Sequence, residues 1–177
     1  MRSRYKIIDE TSLYFITSTI IEWIPIFTSE KYFNIITDSL NYCRKEKGLK
    51  VYAYVILDNH IHLIVNGENL VNTVQSFKRH TAKIILENLR ADNKEWILNQ
   101  LHFYKQKNKV KSEYQVWQEG YHPQGINTQD MLYQKINYIH LNPVKRGYVI
   151  KPEDWRYSSA NYFINGIKGD LELDDLY

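Results

Sequence analysis

The apolar positions of the chain change period several times, and each change marks an element. Leu13–Trp23 (LYFITSTIIEW) is rich in β-branched and aromatic residues and predicts a first strand, which Pro25 closes. The period then becomes helical. Phe33, Ile36 and Leu40 form one stripe, Thr28 or Ser29 can cap the start ahead of Glu30, and Gly48 ends the helix after Lys47. Lys50–Leu57 is apolar on both faces, as a central strand should be, and Ile61–Val65 is a second apolar run. Asp58 and Asn59 separate the two runs. Both residue types tolerate the positive φ of a tight turn, so Val51–Asn66 (VYAYVILDNHIHLIVN) predicts an antiparallel hairpin.

A second helix is expected over Leu70–Leu89, with Val74, Phe77, Ala82, Ile85 and Leu89 apolar, and a less regular one within Asp92–Asn108. Tyr114–Trp117 predicts a further strand, and GYHPQG after it is turn-prone. Thr128 starts a helix with Asp130 near its positive end and a buried stripe of Leu132, Ile136 and Ile139; Asn142–Pro143 should stop it. The chain closes with Tyr148–Ile150, a KPEDW turn, Tyr157–Phe163 and an acidic tail over 170–177. The order strand–helix–strand–strand–helix predicts an α+β, ferredoxin-like (RRM-like) antiparallel sheet with helices on one face, in a single domain over 1–177.

Composition narrows the setting. Hydrophobic content of 44% and charged content of 24% over 177 residues are ordinary for a globular protein. Leu13–Ile24 is too short and too polar to cross a bilayer, and MRSRYKIIDE lacks the apolar core of a signal peptide. Cys43 is the single cysteine, which excludes an internal disulfide, fits a reducing cytoplasm and reads as a half-buried helical thiol. The net charge of +3 hides an asymmetry, because Asp170–Tyr177 has four acidic residues and no basic ones, leaving +7 on the rest. Between Lys78 and Lys111 lie nine Lys or Arg residues against Glu87, Asp92 and Glu95. Such a segment suits a nucleic acid, and equally suits a solvated helix face. Fifteen tyrosines and four tryptophans offer stacking platforms for unpaired bases, and are also ordinary core residues.

Candidate chemistry sits in two places. His60 and His62 alternate with Ile61 on a strand, so both imidazoles share a face about 7 Å apart at Cα and can converge on one metal ion. Tyr138 and Asn142 are one helical turn apart on a face that also carries Lys135. Asn offers a hard carbonyl oxygen suited to Mg²⁺ or Mn²⁺ beside imidazole, and an activated Tyr is a covalent nucleophile. Taken alone, Asn142 also reads as a helix end and Tyr138 as one amphipathic tyrosine among many.

The chain resembles the single-tyrosine HUH transposases of the REP-associated tyrosine transposase kind across nearly its whole length. The resemblance runs through LYFITSTIIEWIPIF, YVILDNHIHLIV, SFKRHTAKII, VWQEGYHPQGI, KINYIHLNPVKRGYV and PEDWRYSSANY. His60-Ile61-His62 matches the two metal-binding histidines of the HUH motif, and Tyr138 to Asn142 (YIHLN) matches the helix with the nucleophile and a polar third ligand. One departure stands at Leu57-Asp58, where many relatives have Met-Pro.

The resemblance implies an HUH endonuclease fold and a metal-dependent transposase. It would nick and join single-stranded DNA beside hairpins or palindromic repeats through a 5′-phosphotyrosine on Tyr138, with Mg²⁺ or Mn²⁺ on His60, His62 and Asn142. The enzyme would act in the bacterial cytoplasm, at the nucleoid, as a monomer or homodimer and with no membrane. Lys78, Arg79, Lys83, Lys145 and Arg146 would follow the DNA backbone. Lys135 would join them and, as our own addition to the family pattern, favour the phenolate. Two alternatives remain: a domesticated module that binds structured DNA or RNA without turnover, and a metal-dependent phosphodiesterase using water.

Overall fold

The computed structural model describes residues 12–176, so MRSRYKIIDE lies outside the described residues. Four strands form one antiparallel sheet: β1 (Leu13–Thr19), β2 (Lys50–Ile56), β3 (His60–Asn66) and β4 (Gln124–Ile126), in the order β2-β3-β1-β4. Helix α1 (Glu30–Lys47) joins β1 to β2, and α2 (Leu70–Ala91) with α3 (Glu95–Phe103) lies between β3 and β4. Helix α4 (Gln129–Lys145) and the short α5 (Ala160–Asn165) follow. The expected α+β, ferredoxin-like arrangement is present.

Strand alternation gives the sheet two buried faces. Ile16, Ile61, Leu63 and Val65 pack with Ile36, Leu40, Val74 and Phe77 of α1 and α2. Phe15, Val55, Leu57 and Ile64 pack with Leu132, Ile136 and Ile139 of α4. Helices therefore cover both faces and not one, because the last helix has an apolar stripe of its own to bury.

Helix α1 begins and ends as its sequence signals, with Gly48 in the left-handed conformation at φ 66°. Other boundaries move. The first strand stops at Thr19, since its neighbour β3 begins at His60, and Ile21–Trp23 turns instead through a single 3-10 turn. Tyr114–Trp117 forms no ladder; a lone bridge joins Trp117 to Ile20. The sheet's outer strand is β4, whose first two residues end the turn-prone stretch and which is too short for periodicity to reveal. Pro143 does not stop the helix where expected: it lies inside α4, and because only its last two residues follow, the ring costs the single bond that residue 143 would donate to the Ile139 carbonyl.

The acidic tail is docked. Leu171 is buried, Arg44 pairs with Asp174 at 2.9 Å and with Glu172 at 3.1 Å, and Asp174 exchanges hydrogen bonds with the backbone of Val51. Just before it, Tyr157 and Ser159 bond the backbone of Ile56 and Tyr54, so residues 157–159 cover the outer edge of β2. Among the described residues no helix is long and apolar enough to cross a membrane.

Candidate active site

The histidines project from the sheet face that α4 crosses, since Thr19 and Thr17 are opposite His60 and His62 across the ladder and Phe15 lies two residues further along. The two imidazoles are 4.7 Å apart between centroids and both are buried. Phe15 stacks on His62 at 5.3 Å. The Tyr138 ring meets His62 edge-on at 5.2 Å and stays 41% exposed. The tyrosine thus reaches the histidine pair from below and solvent from above.

Hydrogen bonds place the His60 proton. Asn59 Nδ2 donates to the carbonyl of Trp23 at 2.9 Å, which leaves Asn59 Oδ1 to accept from His60 Nδ1 at 2.7 Å. A neutral His60 then carries its proton on Nδ1 and a lone pair on Nε2. His62 Nδ1 pairs with Thr17 Oγ1 at 2.8 Å, while its buried Nε2 has no hydrogen-bond partner. Burial, with Arg146 nearby, holds His60 down to about 4; burial, then the cations of His60, Arg146 and Lys135, hold His62 down to about 3. Both rings are therefore neutral near pH 7, the form that ligates a metal.

The hairpin turn is unlike the sequence expectation. Neither Asp58 nor Asn59 has a positive φ. The turn is held from outside: the Asp58 carbonyl accepts from Ile26 and Phe27, and the Asn59 carbonyl accepts from Ile20. The Asp58 carboxylate takes Arg146 Nη1 at 3.2 Å. A proline at position 58 would have no carboxylate to offer that arginine, so the Leu57-Asp58 departure ties the turn directly to the end of α4.

Tyr138, Asn142 and Arg146 are four residues apart in turn and share one side of α4. Tyr138 touches His62 and Arg146 touches the hairpin, and Asn142 between them is 8% exposed. Among the described residues no group of three or more His, Cys, Asp or Glu could hold a metal. A three-ligand site here must therefore recruit another donor type, and the orphaned His62 Nε2 beside an asparagine-bearing helix fits that requirement.

The basic residues divide. Lys145 Nζ lies 5.8 Å from the Tyr138 ring centroid. Lys135 donates to Gln124 Oε1 at 2.7 Å and sits over Phe15 at 4.6 Å. Lys78 donates to the carbonyls of Gln118 and Gly120, at 2.7 and 2.5 Å. Arg79 and Lys83 are exposed on α2, with Glu87 3.9 Å from Lys83. Lys78, Arg79, Arg90, Tyr114 and Tyr121 line one groove, and the Tyr121 carbonyl accepts from the backbone of Thr17 at 2.9 Å. Sequence reading marked Asn59 only as a turn residue and did not single out Thr17, Phe15 or Gln124. Their roles arise from cross-strand and tertiary partners that spacing does not reveal. His140 is buried and bonds Ser159 Oγ at 2.8 Å.

The antiparallel ferredoxin-like sheet with helices on both faces is the fold of a solved tyrosine transposase. The family resemblance is to the REP-associated tyrosine transposases, and two comparisons bear it out. The chain is 26% identical over 167 residues to a Haemophilus influenzae protein provisionally named REP-associated tyrosine transposase, covering 92% of this chain and 86% of that one. A REP-associated tyrosine transposase bound to a REP hairpin superposes on it with a TM-score of 0.68, at 16% identity, over 100% of this chain and 94% of that one. No protein-family model matches the chain.

Proposed function

We propose that this protein is a metal-dependent transposase that nicks and rejoins single-stranded DNA beside hairpins through Tyr138. The observation that carries the reading is Tyr138 itself, exposed to solvent and in ring contact with a neutral histidine whose Nε2 has no partner. His60, His62 and Asn142 would hold Mg²⁺ or Mn²⁺, which when bound supplies positive charge to the scissile phosphate. The names of the relatives supply the substrate class, since the solved one is bound to a REP hairpin.

The protein's own residues do the rest. The Tyr138 phenol oxygen attacks phosphorus, the new O–P bond forms as the P–O3′ bond breaks, and the phenol proton ends on the departing 3′-OH by way of solvent. A second 3′-OH reverses the exchange, so phosphodiester energy is conserved and no nucleotide is consumed. Phenols are largely neutral at pH 7, so the attack needs a group that favours the phenolate. Lys145, beside the Tyr138 ring, and Lys135, one turn before it, are the cations available on α4. Arg79, on the groove between α2 and residues 112–121, and Lys83, exposed on α2, would follow the DNA backbone.

The test is incubation with a labelled hairpin bearing an unpaired flank, with Mn²⁺, followed by denaturing electrophoresis. A protein–DNA adduct that vanishes in Tyr138→Phe is expected. Tight binding without an adduct under any divalent metal would replace this reading with a non-cleaving DNA- or RNA-binding module. Cleavage that survives Tyr138→Phe would point to water as the nucleophile.

A further inference from the structure

Glu22 and Trp23 both adopt left-handed backbone conformations, at φ 49° and 57°. Neither is glycine, and two such residues in succession hold their shape only where surrounding contacts impose it. The contacts are present. Trp23 N donates to the Ile20 carbonyl at 3.0 Å, and the Trp23 carbonyl accepts from Asn59 Nδ2, the same amide whose oxygen orients His60. The strained turn is thus clamped directly to the histidine pair.

What the strain displays is an indole. Trp23 is 51% exposed, with its ring edge-on to His60 at 5.3 Å. Core packing does not account for the conformation, because its neighbours Ile21 and Ile24 take the buried positions while Trp23 points outward. Glu22, exposed alongside, disfavours a phosphate there, so the segment offers an aromatic face and no cation.

We infer that Trp23 is a stacking platform for an unpaired base next to the scissile phosphate. It is held beside His60 by Asn59, so that one side-chain amide sets both the histidine and the base. This rests on the proposed DNA cleavage for its location at the site, but the contact itself is a binding property and is measured without turnover. Trp23 is a positioning residue: it fixes where the strand lies and takes no part in the chemistry.

The test uses the full chain in the Tyr138→Phe background, comparing one hairpin with and without its single-stranded flank by fluorescence anisotropy. Trp23→Ala is expected to weaken binding of the flanked hairpin by about 5- to 150-fold, the range for loss of one stacked base. Binding of the flankless hairpin should be unchanged, and Trp23→Phe should restore most of the loss. Replacing the flanking bases one at a time with 2-aminopurine should show one position quenched in the parent and bright in Trp23→Ala. Equal affinities for the flanked hairpin, or an equal loss on both hairpins, would overturn the inference, as would a parent that does not bind the flank. A flank-specific loss in a protein that forms no Tyr138 adduct would sink the cleavage reading and leave this one standing. An adduct with a silent Trp23→Ala would do the reverse.

Discussion

The side-chain amide of Asn59 has only one orientation that suits its neighbours. With Nδ2 given to the Trp23 carbonyl, Oδ1 must face His60, and His60 must carry its proton on Nδ1. Partners of this kind sustain metal affinity at a distance from the metal. Asn59→Ala is expected to weaken Mn²⁺ binding by about 10- to 100-fold, read by isothermal calorimetry, with the far-ultraviolet spectrum unchanged. Lys78 supplies a pH prediction. Burial, with Lys109 adding to it, holds its ammonium down to about 8 against the usual 10.5. The unfolded chain therefore binds more protons between those values, and stability from this residue is lost as pH falls through 10.5 toward 8 and regained as it rises. Relative to Lys78→Met, the wild type should gain on the order of 1–2 kcal/mol between pH 8 and 10, by urea midpoint. That figure is below the full shift because the window ends short of 10.5. From sequence, Lys78 looked like one more cation for DNA, since nothing in a helix period says which lysine will bend back onto a loop. His60 and His62 were legible because alternation alone puts them on one face.

At the level of elements, local pattern and tertiary partner contributed differently. α1, α2 and the β2–β3 hairpin were legible because each buries a stripe that repeats at its own period. β4 was not, because three residues contain no period, and its existence depends on β1 offering an edge. Residues 157–159 likewise gain their role from the open edge of β2. Ser159 is the centre of that contact: its hydroxyl accepts from Tyr54 N at 3.0 Å, approaches the Tyr54 carbonyl at 3.3 Å and pairs with His140 Nε2 at 2.8 Å. Ser159→Ala leaves these buried groups without that partner and should cost about 1–3 kcal/mol, measured by denaturant unfolding. A loss under 0.5 kcal/mol would mean that water or a rearranged His140 takes the hydroxyl's place.

Across the whole molecule, the charge arrangement predicts how DNA would be held. Several cations of the basic segment are engaged within the protein, among them Lys78 with two carbonyls, Arg90 with Glu113 and Lys109 with Glu119. Lys145, exposed beside Tyr138, would meet a phosphate of the strand on the proposed reading. Lys145→Ala should lower the steepness of log K against log salt by about 0.7 for a single strand, with the hairpin affinity followed from 50 to 200 mM salt. The turn at Asp58–Asn59 has a further consequence, one of timing. It joins the chain before α1, the histidine strand and the last turn of α4, three regions widely separated in sequence. During synthesis the histidines emerge long before the tyrosine does. A chain still on the ribosome past α3 holds the histidine pair without Tyr138, so the proposed site is completed only when α4 closes over the sheet. On the proposed reading, a growing chain would cleave no DNA until that closure.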